Sequence, residues 1–494
     1  MGAQPSRYFG IRVVDSETGR GVPLVELETV NNLQFVTDSA GWAAFYEPGL
    51  MGREMFFHVH SHGYEFPKDR FGYAGTALTP VPGGKATLRI KRLNIAERLY
   101  RVTGEGIYRD SVLLGEPTPL DEPLGAGKVA GQDSVSAVQY RGKIYWFWGD
   151  TNRMAHPLGH FWMAGATSDL PGRGGLDPAL GVNLHYFTDK DGFSRPMCRL
   201  GVERGPIWAD AFAVVPDDGG RQRLVCHYVH VESLGKVLDH GLAIYSDEKD
   251  EFERLKELGL NDLWRFPQQA HPVRHRDGGV EYLYLGEVFP TVRVPARLSA
   301  FSDVNSYEAW TCLAEGSTSG DPKVDRDPHG ELRWRWSRTA RPMNTDTEQA
   351  LIARGLIRPE EARFSPKDVD SGKLVKLHRG SVCWNAYRKR WVLIAGEAGG
   401  SSSYLGEIWY SEAPDITGPW RLAKKIVTHN QYSFYNSVQH PFFDQAGGRL
   451  IYFEGTYTTT FSGSKRPTPR YEYNQVMYRL DLADPRLRAA QLGP

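Results

Sequence analysis

Two aspartates stand at the open ends of one predicted β-hairpin. The segment 128–151 reads KVAGQDSVSAVQYRGKIYWFWGDT, and its β-branched and aromatic runs predict strands over 134–140 and 143–148 with an Arg-Gly turn between them. Asp133 precedes the first strand and Asp150 follows the second. Because hairpin strands are antiparallel, we expect both carboxylates at one edge. Like charges held close cannot all ionise, so one pKa must rise, and a protonated acid beside a carboxylate is suited to acid–base chemistry.

The same hairpin pattern recurs four more times along the chain. The copies read WADAFAVVPDDGGRQRLVCHYVHV, QQAHPVRHRDGGVEYLYLGEVF, HRGSVCWNAYRKRWVLIAGEAG and YNSVQHPFFDQAGGRLIYFEGT. Polar or ionisable residues stand at nearly every first-strand start and second-strand end. The starts supply Asp210, His271, His378, Arg379, Tyr435 and Asn436, the ends supply Glu287, Glu397 and Glu454, and His440 lies within the last copy. We predict that these groups converge on one face, where carboxylate oxygens suit acid–base catalysis or a bound cation such as Ca²⁺.

A third strand follows each hairpin. Four copies end in Ser followed by an acid, namely MAGATSD, GLAIYSD, RLSAFSD and EIWYSEA, and the fifth reads NQVMYRLDL. Units of about four antiparallel strands predict an all-β fold, a five-bladed β-propeller over residues 128–494, with the last blade meeting the first to remove exposed edges. Residues 313–377 form a predicted insertion with a short helix at DTEQALIARGL.

Residues 1–105 form a separate predicted domain of alternating strands. Its motif V-x-D-x-x-T-G-x-x-V-P, followed by T-D-x-x-G, resembles the transthyretin-like or carboxypeptidase-regulatory β-sandwich. That resemblance implies an accessory role, structural or close to carbohydrate. Residues 106–127 are rich in Gly, Pro and acids without periodicity, which indicates a linker packed against the second domain.

Composition narrows the classes of partner. The 494 residues carry 59 basic and 59 acidic side chains and no basic stripe, which argues against nucleic acid. No apolar run is long enough to span a membrane, so we expect a soluble protein, secreted or periplasmic if a signal peptide has been removed and otherwise cytoplasmic. The four cysteines form no CxxC pair, which disfavours a thiolate zinc site. Aromatic residues make up 12% of the chain and suit sugar stacking.

Two runs carry a further resemblance. D-S-x-S-A-V-x-Y-x-G-K-I-Y-W-F-W-G-D-T and Y-S-E-A-P-D-I-T-G-P-W resemble the five-bladed propeller glycoside hydrolases of the arabinanase/xylosidase type (family 43) and a relative associated with D-arabinan hydrolysis. The resemblance covers residues 128–485 and implies carbohydrate as substrate, with no cofactor required. By position, Asp133 matches the general base. Asp210 matches the aspartate that tunes pKa and positions sugar, although it stands on the second predicted blade instead of the third. Glu397 is the first candidate for the acid, followed by Glu454 and Glu287.

Three functions remain open at this point. A glycoside hydrolase would use Asp133 to activate water and Glu397 to protonate the leaving oxygen. His271 and His378-Arg379 stand where the family has acids, an exchange that also fits a lyase. Its substrate-binding candidates are Asp150, His271, His378, Arg379, Tyr435, Asn436 and His440. A polysaccharide lyase would instead use a His or Tyr base, with Arg379 on a uronate carboxylate. The third alternative is a non-catalytic platform that binds sugar or protein. Metal ligands stay unassigned, and a structural Ca²⁺ in the axial channel is an open alternative.

Overall fold

The computed structural model describes residues 7–493 and confirms the all-β class. Helices are short and lie between strands. Among the described residues the α-helices are Arg109–Leu114, Leu298–Phe301 and Thr345–Ala353, and the 3-10 helices are Leu260–Arg265, Val304–Ser306, Pro359–Glu361, Pro441–Phe443, Ala446–Gly448 and Pro485–Leu487. None of the helices in this part of the chain is long and apolar enough to cross a membrane.

Two four-stranded sheets make up the N-terminal region. One has the strand order Trp42–Phe45, Phe9–Asp15, Lys85–Arg92 and Tyr64–Glu65, and the other has Gln34–Val36, Glu26–Thr29, Met55–His60 and Gly75–Leu78. Both contribute to a single buried cluster that includes Ile11, Val13, Leu27, Phe45 and Phe57. The alternation of apolar residues along these strands explains the packing, because each strand turns one face to this cluster. The transthyretin-like assignment stays a prediction.

Five sheets of four or five strands follow. Sheet one contains Ser136–Tyr140, Lys143–Trp148, Ala164–Asp169 and His185–Tyr186, and sheet two contains Ile207–Pro216, Gln222–Ser233, Lys236–Ser246 and Glu251–Leu258. Sheet three contains Val273–Asp277, Val280–Leu285, Val292–Pro295, Glu308–Thr311 and Arg335–Ser337. Sheet four contains Leu377–Asn385, Arg390–Glu397, Ile408–Ala413, Leu422–Val427 and Lys367–Asp368, and sheet five contains Ser433–Gln439, Leu450–Thr458, Asn474–Asp481 and Glu97–Arg101.

Sheet five is completed by a strand from far earlier in the chain. Glu97–Arg101 pairs antiparallel with Asn474–Asp481, although the sequence analysis placed residues 97–101 in the first domain. The pairing covers the outer edge of the last sheet and ties the segment that precedes the repeat region to the last strand of that region.

The five sheets contact one another in cyclic order at the end where their first strands begin. Each contact joins one sheet to the next, and the last joins sheet five back to sheet one. These contacts are Trp208 Nε1 to Asp150 Oδ1 (3.3 Å), Gln269 N to Asp210 Oδ2 (2.8 Å), Gly380 N to Glu287 O (3.1 Å), Arg379 Nη1 to Asn436 Oδ1 (3.3 Å) and Tyr435 OH to Asp133 Oδ2 (3.0 Å). A closed order of this kind fits the predicted propeller, whose number of blades stays a prediction.

A non-glycine residue with positive φ lies near the start of the first strand of every one of these sheets. They are Ser134 (φ 55°), Ala211 (52°), Gln269 (54°), Arg379 (44°) and Asn436 (51°). The left-handed conformation interrupts the strand pairing, as register shifts in sheets two, four and five show. Such strained positions persist only where surrounding contacts hold them, and they cluster at functional sites. The repeated kink aims the preceding side chains toward the common end.

One strand prediction is wrong. The run RLSAFSD was predicted as the third strand of its unit, but Leu298–Phe301 is helical and the third strand of sheet three is Val292–Pro295. Pro295 has no N–H to continue the ladder, and the Asp303 side chain accepts a hydrogen bond from Asn305 N that caps a 3-10 turn. The Ser-acid pair therefore marks a turn in this copy. The helix predicted within the insertion is present as Thr345–Ala353.

Candidate active site

Asp133 and Asp150 lie where the backbone passes from sheet one into a small three-stranded sheet. That sheet consists of Val129–Gln132, Thr151–Arg153 and His156–His160. Gln132 is paired with Thr151 on one side of the junction, and Ser136 is paired with Phe147 on the other. Across the junction, Gly149 N donates to Asp133 O at 2.8 Å. The two aspartates are therefore held face to face by strand pairing on both sides.

The hydrogen bonds of the pair are unequal. Asp133 Oδ1 accepts from Asp150 N at 2.9 Å, Asp133 Oδ2 accepts from Tyr435 OH at 3.0 Å, and the Tyr473 and Ser134 side chains also hydrogen bond to this carboxylate. Asp150 accepts a single side-chain hydrogen bond, from Trp208 Nε1. Donors stabilise the ionised form of a carboxylate. Negative charge is thus favoured on Asp133 and the proton on Asp150.

The electrostatics of the two groups agree with that assignment. Burial, together with the neighbouring charge of Asp133, raises the pKa of Asp150 to about 7. Burial also raises the pKa of Asp133, while the hydrogen bonds from Tyr435 and Tyr473 oppose the shift. Near neutral pH the pair can hold one proton, which is the arrangement that a general acid beside a general base requires. We therefore place Asp150, which the sequence analysis gave a binding role, ahead of Glu397 as the proton donor.

Asp150→Asn is expected to stabilise the fold at alkaline pH. With a folded pKa of about 7 against an ordinary value of 3.8, the folded protein holds a proton that the unfolded chain releases. This contribution to the free energy of unfolding is fully present below pH ~4 and is lost as the pH rises through about 7. Asparagine is neutral throughout, so urea denaturation of the variant should show a gain of about 1–3 kcal/mol at pH 8 that is absent at pH 4.

Asp169→Asn is the matched control for this measurement. Asp169 is partly exposed at the other end of sheet one and pairs with Lys143 at 2.7 Å, which lowers its pKa. Its substitution should not stabilise the fold at either pH. A gain for Asp150→Asn of equal size at pH 4 and pH 8 would contradict the assignment of the proton to this side chain.

Asp210, the second predicted aspartate, is engaged in a buried chain of hydrogen bonds within sheet two. Its Oδ1 lies 3.0 Å from His227 Nδ1, and its Oδ2 accepts from Gln269 N. His227 Nε2 then lies 3.1 Å from His240 Nδ1, and His240 Nε2 donates to Gly259 O at 2.8 Å. Asp210 and both histidines are almost fully buried. Asp210 is brought to the ring of sheet contacts, but its oxygens are already occupied.

Counting protons shows that the hydrogen-bonded group of Asp210, His227 and His240 has no net charge. Three consecutive hydrogen bonds need three protons, whereas two neutral imidazoles supply only two. The third proton resides on Asp210 or on one of the histidines, which balances the single negative charge. A buried trio without net charge is the arrangement that burial favours.

Asp210→Asn is therefore expected to preserve both fold and activity. The amide NH₂ can donate to His227 Nδ1 while the amide oxygen accepts from Gln269 N, so every bond survives with neutral groups. Asp210→Ala should instead cost roughly 2–3 kcal/mol, because it leaves two buried groups without partners. Thermal denaturation and activity assays of both variants check this expectation. A stable but inactive Asp210→Asn protein would restore the catalytic role that the sequence analysis gave this residue.

Glu397 lies among groups of its own sheet. Its Oε2 accepts from Trp409 Nε1 at 2.8 Å. Burial raises its pKa, the Trp409 hydrogen bond and the charge of Lys425 lower it, and the charges of Glu407 and Asp368 raise it further. These neighbours all belong to sheet four or adjoin it, so Glu397 shares no partner with Asp133 or Asp150. Its role as the acid stays a prediction.

Glu454 and His440 form a closed pair between sheets five and one. His440 Nε2 lies 2.7 Å from Glu454 Oε1, and the imidazole packs 5.1 Å from the Trp146 ring. Both residues are almost fully buried. Burial, followed by the charge of His440, lowers the pKa of nearby His271 to about 3, so His271 is neutral. Glu454 and His440 therefore lie in the interior of the fold, whereas His271 is partly exposed.

Arg379, Glu287, Asn436 and His378 lie at the common end of the sheets. Arg379 Nε is 3.7 Å from the exposed Glu287 carboxylate, and Asn436 Nδ2 donates to Ser134 Oγ at 2.7 Å. Burial, with the charges of Arg379 and Lys376, lowers the pKa of His378 to about 4. Arg379 and Asn436 thus continue the polar ring toward the aspartate pair. Of the predicted substrate-binding residues, Tyr435 contacts that pair directly.

Tyr473 is a site residue that the sequence analysis did not single out. Its φ is 58°, and its side chain hydrogen bonds to Asp133. The available signal was its place directly before the third strand of the fifth repeat, in the run RYEYNQ. A metal site is not evident, since no group of three or more His, Cys, Asp or Glu within residues 7–493 is placed to hold an ion.

Comparisons with known proteins give distant structural likenesses. No family model and no curated protein matches the chain. A hydrolase from Bacteroides ovatus, so described without an established activity, is 13% identical, with a TM-score of 0.40 over 72% of this chain and 86% of that one. An α-L-arabinofuranosidase from Fusarium graminearum, solved with an iminosugar inhibitor, is 13% identical, with a TM-score of 0.35 over 79% and 99%. A family 43 enzyme from Xanthomonas citri, solved with xylotriose, is 11% identical, with a TM-score of 0.34 over 71% and 86%. Likeness at this level establishes no activity for the chain.

Proposed function

We propose that the protein is a glycoside hydrolase whose acid–base pair is Asp150 and Asp133, carried at the axial end of a five-bladed β-propeller. The observation that carries the proposal is the asymmetry of the pair. Asp133 accepts hydrogen bonds from Asp150 N and Tyr435 OH, whereas Asp150 has one side-chain donor and a pKa of about 7. Glycosidic cleavage needs one protonated and one ionised carboxyl group, and environment is what separates their roles.

In the proposed reaction the glycosidic oxygen gains one proton from Asp150, and the attacking water loses one proton. Asp150 donates its proton to the glycosidic oxygen as the bond to the anomeric carbon breaks, and the leaving sugar departs as an alcohol. Asp133 either removes a proton from the attacking water or attacks the anomeric carbon itself, in which case water cleaves the glycosyl ester in a second step. Water supplies the oxygen of the new hemiacetal. In the retaining course Asp150 takes the proton that this water loses, whereas in the inverting course Asp133 takes it and proton exchange with solvent then returns Asp133 to its ionised form and Asp150 to its protonated form. The anomer released distinguishes the inverting course from the retaining one.

Lyase chemistry has less support from these contacts. A lyase needs a cation for the uronate carboxylate and a base for the neighbouring proton. Arg379 is already paired with Glu287 and Asn436, and His271 and His378 have lowered pKa values that suit neither a cation nor a strong base. Tyr435 donates to Asp133, and burial raises its pKa.

Product analysis on purified polysaccharides tests the proposal. Arabinan, xylan and galactan serve as uncharged substrates and polygalacturonate as the uronate substrate. Products heavier by one water per cleaved bond, with no ultraviolet absorbance from a new double bond, are expected from at least one uncharged substrate. An absorbing unsaturated product would replace the proposal with a lyase. Binding without cleavage would favour a carbohydrate-binding platform.

A further inference from the structure

Two aromatic side chains flank the aspartate pair from different sheets. The half-buried Trp208, near the start of sheet two, donates its Nε1 hydrogen to Asp150 at 3.3 Å. Phe461, in the loop after Leu450–Thr458 of sheet five, meets the Tyr435 ring edge to face at 6.1 Å. Tyr435 in turn donates to Asp133. Trp208 thus contacts Asp150 directly, and Phe461 is connected to Asp133 through Tyr435.

Phe461 is held in an unusual state. Its φ is 63°, a conformation that is rare and strained for a bulky side chain, and 49% of the residue is exposed. A half-exposed ring gains only part of the free energy of burial, so core packing alone does not account for the strained backbone at Phe461. The loop therefore presents the Phe461 ring partly to solvent, in contact with Tyr435.

The loop that carries Phe461 is anchored at its base by Glu472. This carboxylate accepts hydrogen bonds from Thr459 N at 2.9 Å and from Thr458 Oγ1 at 2.6 Å, and Tyr432 OH also donates to it. A carboxylate with several donors on adjoining residues fixes the direction in which the loop leaves sheet five. The base of the loop that carries Phe461 is thus fixed by the structure before any ligand binds.

The charges around the pair favour an uncharged ligand. Arg379 is offset by Glu287, and the exposed Lys376 is paired with Asp346 at 3.3 Å. His378, with a pKa of about 4, is neutral at pH 7. A ligand carboxylate would meet the charge of Asp133 without a cation from these side chains to balance it. Sugar rings without charge avoid that cost, and their C–H faces stack on aromatic rings.

We infer that Trp208 and Phe461 are the two walls of a cleft that binds an uncharged glycan across the aspartate pair. Each ring stacks against a sugar unit on one side of the bond to be cleaved, and Trp208 also orients the Asp150 carboxyl group. The inference rests on the proposed function for the identity of the cleaved bond. The stacking role of the rings stands apart from it.

Kinetics of ring variants separate stacking from hydrogen bonding. Phe461→Ala should raise KM about 5–10-fold with kcat within about twofold, and Phe461→Tyr should restore the wild-type KM, because an aromatic ring is retained. Trp208→Phe keeps a ring but removes the N–H donor that lowers the pKa of Asp150. Its KM should stay near the wild-type value, while the alkaline limb of its pH–rate profile moves to higher pH. Trp208→Ala should show both effects.

Trp384→Ala is the matched control. Trp384 is 48% exposed near the turn end of Leu377–Asn385, far along the strand from the common end of the sheets, and its substitution should change neither KM nor the pH profile. An unchanged KM for Phe461→Ala, or an equal rise in KM for Trp384→Ala, would contradict the inference that Phe461 lines a glycan-binding cleft.

Binding by an inactive protein separates the cleft from the chemistry. Asp133→Asn protein, with and without Phe461→Ala, is run in affinity electrophoresis against arabinan, xylan, galactan and polygalacturonate. Retardation by an uncharged glycan that is lost with Phe461→Ala supports the inference, even if wild-type protein cleaves nothing and the proposed function fails. Stronger retardation by polygalacturonate, or retardation by none of the four, would overturn it.

Discussion

Asp150→Asn is expected to lower kcat/KM on natural glycans by about 10²–10⁴-fold while sparing kcat/KM on substrates that carry a nitrophenol leaving group. Nitrophenol departs without protonation, so loss of the acid matters little for its release. Asp133→Asn should lose activity on both kinds of substrate, because the ionised carboxylate acts at the anomeric carbon whichever group leaves. Steady-state kinetics of the two variants on paired substrates measure this difference.

The pH dependence gives the same assignment a second readout. Wild-type activity should fall as the pH rises through about 7, where Asp150 loses its proton, and should also fall at low pH, where Asp133 gains one. Asp150→Asn should lack the alkaline limb on nitrophenyl substrates. Asp210→Asn provides the control, since the same chemical change at a buried structural aspartate should leave the profile intact. A profile shared by wild type and Asp150→Asn would contradict the role of this residue.

Gly149→Ala is expected to abolish activity although it adds a single methyl group. A Cβ at this position would lie 2.4 Å from Asp133 Oδ1, well inside van der Waals contact. The Asp133 carboxylate would have to leave its hydrogen bonds with Asp150 N and Tyr435 OH. We expect a loss of activity comparable to that of Asp133→Asn and a destabilisation of about 1–3 kcal/mol.

Gly320→Ala is the control for this variant, because a Cβ there has open space and the glycine does not have a positive φ. Activity assays and thermal denaturation of both variants decide the outcome. An active Gly149→Ala protein would show that the position of the Asp133 carboxylate is not critical.

The hairpin pattern in the sequence predicted much of the local geometry around the aspartate pair. Alternation and turn residues predicted the strands around Asp133 and Asp150, and antiparallel pairing predicted that the two acids would lie at one edge. The assignment of Asp150 as proton donor and Asp133 as proton acceptor could not be predicted. It depends on the Tyr435 and Trp208 side chains, which lie on other sheets. Long-range contacts of this kind leave no trace in a local pattern.

Backbone conformation explains why the sequence analysis chose the wrong equivalent of Asp133 in sheet three. The sequence analysis aligned His271 with Asp133 because both precede a predicted strand. In the structure the left-handed residue of sheet one is Ser134 and that of sheet three is Gln269, so the position equivalent to Asp133 is Gln268. Positive φ in residues other than glycine has no reliable sequence signature. The residues that occupy positions equivalent to Asp133 in the later sheets therefore could not be predicted from the sequence.

The end of the first domain could not be predicted from the sequence for a related reason. Glu97–Arg101 continues the first domain in sequence but pairs with Asn474–Asp481 in sheet five. Both segments alternate as ordinary strands, and periodicity does not specify the partner of a strand. Completing the last sheet with a strand from before the repeats joins the N-terminal sheets to the repeat region.

Cleavage of uncharged polysaccharide in water enriched in oxygen-18 tests the central claim most directly. If Asp150 and Asp133 catalyse hydrolysis, mass spectrometry will find one heavy oxygen at each new reducing end with wild-type protein and with Asp210→Asn, and none above background with Asp133→Asn. Unlabelled, unsaturated products from the uronate substrate, or labelled products at an undiminished rate from Asp133→Asn, would contradict the account.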